Sequence, residues 1–153
     1  MIDIIEELPL EMVSQRDLIR RDINRAIKNR VRAFQFTDEV YNYKTLGTNA
    51  RDFIKPFNSR LKTKVERWYY DKVDSILEFD RKSYPDSKKA FEAKSKLIAK
   101  NKEIIEPYRI KYEDYLARCN KAIYVKQKKI KGIRTIWCII DFEILDFCRV
   151  DHI

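Results

Sequence analysis

The sequence predicts a mainly α protein: an antiparallel hairpin of long helices, with an N-terminal basic helix before it and a small C-terminal β-hairpin after it. Three observations predict this class. Apolar residues recur at three- and four-residue intervals on both sides of Pro85, the mark of amphipathic helices. Glycine and proline are scarce, at two and four residues, which disfavours long loops and favours helix interiors. Near the C-terminus the pattern changes to two runs rich in β-branched and aromatic residues about Lys131-Gly132, as strands and a turn require.

Residues 2–13 form an acidic and apolar arm interrupted by Pro9. It is too apolar to be left in water, so it is expected to pack on its own body or to dock on another subunit. Ser14 then opens a helix with a weakened capping box, Asp17 standing where Glu or Gln is usual. Its apolar stripe is Leu18, Ile19, Ile23, Ala26, Ile27, Val31 and Phe34, which carries the helix over 14–34. Arg16, Arg20, Arg21, Arg25, Lys28, Arg30 and Arg32 decorate the rest, several of them neighbours at three- and four-residue spacing.

From Gln35 to Lys55 the pattern weakens. Val40, Tyr41 and Tyr43 suit a short strand, and Gly47 suits a turn. Asn49 caps a short helix through Phe53 and Ile54, which Pro56 is expected to stop or kink. The helical hairpin follows over 57–123. Phe57, Leu61, Val65, Trp68, Tyr69, Val73, Ile76 and Leu77 line the first arm; Phe91, Ile98, Ile105, Tyr108, Tyr112, Tyr115, Cys119 and Ile123 line the second. Ser83-Tyr84-Pro85-Asp86 makes the reversal, with Pro85 in the first turn of the returning helix. Pro107 is expected to kink or break that helix near Ile105 and Glu106. Glu78 with Lys82, Glu92 with Lys96 and Asp114 with Arg118 are spaced as supporting ion pairs.

Residues 124–153 read as a β-hairpin and tail, Tyr124–Ile130 and Ile133–Ile140 flanking the turn. A helix competes over 133–147, since Ile133, Ile136, Trp137, Ile140, Ile144 and Phe147 also obey the helical period. The β-branched content and Gly132 favour the hairpin. The whole chain is of single-domain length.

Charge bounds the function. The net charge is +9, and 37% of residues are charged, well above the usual quarter. Residues 1–14 hold four acids and no base, residues 15–34 seven bases and two acids, and residues 123–134 five bases and no acid. Acidic ends therefore bracket a basic body. Three widely spaced cysteines make no disulfide framework and imply a reducing compartment. No apolar run suits a membrane span or a signal peptide, so an intracellular, cytoplasmic protein, or a virion component, is expected. The Lys-, Ile-, Asn- and Tyr-rich composition accords with AT-rich coding and with a phage or viral source.

Catalysis has little to stand on. The single histidine, His152, is penultimate, so a serine or cysteine nucleophile lacks its usual base, and neither glycine belongs to a phosphate-cradling motif. Asp141, Glu143 and Asp146 form a conceivable metal-dependent nuclease set, but acids at this spacing are ordinarily surface. Cys119, Cys138, Cys148 and His152 supply the donors of a zinc site, yet their spacings of nineteen and ten match no paired-cysteine knuckle, and buried cysteine packs as a small apolar residue. No metal or cofactor is expected.

The basic features remain. Arg16, Arg20, Arg21, Arg25, Lys28, Arg30 and Arg32, with Lys126, Lys128, Lys129, Lys131 and Arg134, form the candidate surface for nucleic acid or an acidic protein partner. Tyr124 and Trp137 adjoin the second cluster as candidate stacking groups. The expected function is that of a non-enzymatic binding and assembly protein. The alternative is a structural subunit of a viral particle or other oligomer, self-associating or joining neighbours through the arm and the helical hairpin.

Overall fold

The computed structural model describes residues 15–36 and 43–153; the acidic arm, the Ser14 cap and the strand residues Val40 and Tyr41 lie outside these. Among the described residues the elements are α1 (Gln15–Lys28), β1 (Ala33–Gln35), α2 (Tyr43–Leu77), α3 (Ser87–Lys100), α4 (Lys102–Cys119), β2 (Ile123–Ile130), β3 (Ile133–Ile140) and α5 (Phe142–Phe147), with a 3₁₀ turn at Arg81–Ser83. The protein is mainly α with a small antiparallel sheet. It gathers into two compact units, one holding the chain up to Leu61 and from Arg118 onward, the other Lys62–Ala117.

The first unit carries the sheet, whose order is β1-β3-β2. The expected hairpin is β2 with β3. Lys131 (φ 51°) and Gly132 (φ 79°) are both left-handed, as a two-residue type I′ turn demands. That turn fixes every cross-strand pair, from Ile130 opposite Ile133 to Ile123 opposite Ile140. The third strand was not expected. Ala33, Phe34 and Gln35 pair with Ile139, Cys138 and Trp137, so the helix expected over 14–34 ends at Lys28 and Phe34 belongs to the sheet.

β2 is an edge strand, and at Ile123 it is completed by a side chain instead of a strand. The Asn58 Nδ2 group donates to the Ile123 carbonyl at 2.9 Å and the Ile123 N–H donates to Asn58 Oδ1 at 3.2 Å. A second Nδ2 contact reaches the Asn120 carbonyl at 3.4 Å. The amide thus makes the two bonds that a neighbouring peptide would make. The buried side chains of this unit include Leu18, Ile19, Ile23 and Ile27 of α1, Phe53, Ile54, Phe57 and Leu61 of α2, and Ile136, Cys138, Ile140, Ile144 and Leu145 of the C-terminal segment.

The second unit is the helical hairpin. Tyr69 stacks on Tyr112 with centroids 4.2 Å apart and planes at 4°, Trp68 meets Tyr108, and Val73 and Leu77 pack with Ile105. Residue numbers rise along α2 as they fall along α4, so the two run antiparallel. The reversal differs in detail from the expectation. α2 stops at Leu77, Asp86 caps α3 by accepting from the Lys88 N–H, and Pro85 stands just outside the helix. The break in the returning arm falls at Asn101, whose N–H and side-chain amide both donate to the Leu97 carbonyl; Pro107 lies inside α4. That break re-phases α3, so Ala90 turns inward while Phe91 and Ile98, expected on the apolar face, are exposed.

Pro56 likewise sits inside α2 instead of ending it, and Tyr43 and Gly47 are helical. An interior proline costs about 3 kcal/mol. Here it is exposed on the solvent side, while Phe53, Ile54 and Phe57 beside it are buried, each contributing about 1.5–3 kcal/mol. Burial wins and the helix continues.

Three helices close on a left-handed residue that is not glycine. After α1 the Val31 N–H reaches the Ala26 carbonyl and the Arg30 N–H the Ile27 carbonyl; Phe79 to Asp74 with Glu78 to Ser75 repeats this after α2, and Val150 to Leu145 with Arg149 to Asp146 after α5. These are Schellman closures, and Arg30, Glu78 and Arg149 hold their left-handed position at φ 58°, 52° and 57°.

Two stability predictions follow from these features. Asn58→Ala strands the Ile123 N–H and carbonyl in a buried site and is expected to lower unfolding free energy by about 2–4 kcal/mol in urea titrations. Glu78→Gly removes the left-handed penalty and is expected to stabilise by up to about 1 kcal/mol; a lowered urea midpoint would contradict the closure at α2.

Candidate nucleic-acid interface

Alternation along β2 and β3 sorts their side chains onto two faces. One face holds Ile123, Val125, Ile136, Cys138 and Ile140, and all but the half-buried Val125 are buried. The opposite face holds Tyr124 with Ile139, Lys126 with Trp137, Lys128 with Thr135, and Ile130 with Ile133 as direct cross-strand pairs. Tyr124, Trp137 and Ile139 there are half-buried, and Lys126 and Lys128 are exposed.

Trp137 is held in place. Its Nε1–H donates to Thr135 Oγ1 at 3.0 Å, and that hydroxyl donates to the Lys128 carbonyl at 2.9 Å. The Lys128 ammonium lies 5.3 Å from the indole centroid, and the Lys121 ammonium lies 5.7 Å from the Tyr124 ring. Each of the two rings on this face therefore carries its own lysine.

Toward the turn, every residue from Lys126 to Arg134 is exposed. Lys126 and Lys128 stand on the outer face, Lys129 and Arg134 are directly opposed on the other, and Lys131 is in the turn. Like charges facing each other across strands weaken a hairpin. The tip also exposes Ile130 and Ile133, at 44% and 65%.

The first basic cluster is more engaged. The Arg16 and Arg20 guanidinium groups lie over the Phe53 ring at 5.8 and 5.2 Å, against a core aromatic. Arg21 pairs with Asp22 at 3.2 Å. Arg25 and Lys28 are exposed in the last turn of α1. Arg30 lies 4.3 Å over Phe142 and makes two bonds to Asp146, at 2.7 and 2.8 Å; that hydrogen bonding holds the Asp146 carboxyl below its ordinary range. Arg32 is exposed, and its carbonyl accepts from the Ile140 N–H. Ile140 lies seven residue steps along the strand from Ile133, about 23 Å. The geometry thus brings Lys126, Lys128, Lys129, Lys131 and Arg134 together at the tip, with Arg30 and Arg32 at the far end of the sheet.

The candidate chemical groups have structural partners. Asp141 caps α5, accepting from the Ile144 N–H, and takes a two-pronged contact from Arg118 at 2.9 Å on each oxygen. Arg118 also meets Glu143 at 2.8 Å and keeps its proton more firmly than usual, chiefly through the Asp141 bonds. Cys119, Cys138 and Cys148 are buried, unbridged thiols; burial pushes Cys138 up to about 12, and Cys148 Sγ points at the Leu61 carbonyl. His152 is exposed beside Asp151. Among the described residues no group of three or more His, Cys, Asp or Glu is placed to hold a metal ion, and no helix is long and apolar enough to cross a membrane.

Adjacency in the sequence points to Tyr124 and Trp137 as neighbours of the lysines, but not to Thr135 or Lys121. The signal for Thr135 lay in the turn: once Lys131-Gly132 is a two-residue connection, Thr135 must face Lys128. Comparison with protein-family models, curated proteins and solved structures finds no significant match for this chain.

Thr135→Val keeps the shape and removes the hydroxyl that links Trp137 to Lys128. In a Trp68→Phe background, where Trp137 is the sole indole, it is expected to cost about 1–2 kcal/mol and to red-shift the emission. An unchanged spectrum would mean that Thr135 does not hold the ring.

Proposed function

We propose that the protein is a non-enzymatic binding protein that engages nucleic acid through the β2–β3 ribbon, with exposed cations of α1 adding long-range attraction. The observation that carries this is the acid-free exposed run Lys126–Arg134, which concentrates five cations beside an outer face of aromatic rings paired with lysines. Cations supply sequence-independent affinity for phosphates. Rings give a reason to prefer nucleic acid over an acidic protein, since bases offer π faces. Three unbridged buried thiols support a reducing environment, inside a cell or a particle assembled there.

A second reading, as a structural subunit, is favoured by a different observation. In the helical hairpin Phe91, Ile104 and Ile110 are exposed at 73%, 57% and 57%, and exposed apolar groups of this kind mark protein contacts when they cluster.

Replacing Lys126, Lys128, Lys129 and Lys131 together by Gln separates the two. A nucleic-acid binder is expected to lose affinity, with the slope of log K against log salt shallower by about 3, at roughly 0.7 per single-strand contact. A purely structural subunit leaves retention of nucleic acid and its salt dependence unchanged.

A further inference from the structure

Resting on the nucleic-acid reading of the ribbon, we infer that the occupant of the outer sheet face is a single strand, two of whose successive bases stack on Trp137 and Tyr124, whatever their sequence. The argument begins with what these rings have left to offer. The indole N–H is already bonded to Thr135, so Trp137 has no donor with which to read a base edge. Its face is what remains. A duplex hides base faces inside its stack and shows only edges and phosphates, whereas a single strand can splay its bases onto aromatic groups.

The positions of the rings fit this use. Tyr124 is directly opposite Ile139, and Trp137 is two residues from Ile139 on the same strand. The rings are therefore diagonal neighbours, about 7–8 Å apart at the backbone. That is roughly twice the 3.4 Å rise per nucleotide of a stacked strand, the separation reached once neighbouring bases are pulled out of their own stack. The pairing of ring with lysine is repeated at both positions, Lys128 with Trp137 and Lys121 with Tyr124. Ammonium-on-ring contacts at exposed sites are weak, so an arriving base displaces each lysine, and the released ammonium finds the phosphate of the same nucleotide. Each ring and lysine together make a receptor for one nucleotide that ignores base identity.

The test uses the full chain carrying Trp68→Phe, so that emission reports Trp137 alone. The probes are a mixed-sequence oligonucleotide of about a dozen residues, within the usual span of one such module, the same sequence as a duplex, the same length with abasic sites at its centre, and heparin. The single strand is expected to bind tightest and to quench the indole. Abasic substitution is expected to abolish the quench and weaken binding roughly 10- to 100-fold with no change to the protein. Trp137→Ala and Tyr124→Ala are expected to weaken the single strand alone, and Trp137→Phe to retain most of the affinity. If duplex, abasic strand and heparin bind as tightly as the intact strand, stacking is wrong while polyanion binding by the ribbon stands. If none of the probes binds at low salt, the ribbon reading falls with it.

Discussion

The sheet depends on an asparagine acting as a peptide. An edge strand leaves a row of backbone groups without partners, and buried ones are costly. At the start of β2 the Asn58 amide supplies a donor and an acceptor to Ile123 from a side chain that is itself buried. Its position in α2 is set by Phe57 and Leu61, which bury on either side of it. Helix packing is thereby converted into strand placement. Asn24 of α1 repeats the device on Ile153, accepting from its N–H at 2.7 Å and donating to its carbonyl at 3.4 Å. Two asparagines, each on a helix, thus satisfy backbone that no strand reaches.

From that anchor the candidate interface follows by geometry. Asn58 fixes Ile123, the type I′ turn fixes Ile130 opposite Ile133, and between two fixed ends the alternation leaves no freedom. A slip of one residue would send Tyr124 and Trp137 into the core and expose Cys138 and Ile136. The aromatic and basic composition of the outer face is therefore tied to the same register that buries the core.

How much of this the sequence revealed depends on how each feature is encoded. Amphipathic period and β-branched content are spread over many residues, and they announced the helical hairpin and the strand pair. Helix ends are local signals, and with only two glycines in the chain the left-handed closures fell to Arg30, Glu78 and Arg149, which look like ordinary helix residues. The stripe through Val31 and Phe34 consequently reads as a continuing helix, and the strand β1, only three residues long, is too short to show a period of its own in the sequence. Prolines misled in the opposite sense. Pro56 is expected to stop or kink its helix and Pro107 to kink or break its own, and neither ends one, because a stop signal costs a few kcal/mol and buried neighbours outweigh it. The candidate site was legible as a list of cations and two rings; their division between an engaged helix and an exposed ribbon required partners distant in sequence, such as Asp146 for Arg30.

The tip of the ribbon joins stability to the proposed binding. Lys129 faces Arg134, Lys131 adopts a left-handed backbone that glycine or asparagine would take more readily, and two isoleucines stand in water. Each weakens the last turns of the hairpin. An isolated ribbon of this composition would fray, and this one is held chiefly where Thr135 bonds the Lys128 carbonyl and where β3 is paired on both sides. On the proposed reading a polyanion reverses the repulsion and covers the isoleucines, so it binds the ordered ribbon better than the frayed one and stabilises it by mass action. The ordering of the tip then opposes affinity while the base of the sheet remains fixed. That division places the rings, which need fixed planes, in the half of the hairpin beside Asn58, and most of the cations, which need only charge and reach, in the half beside the turn.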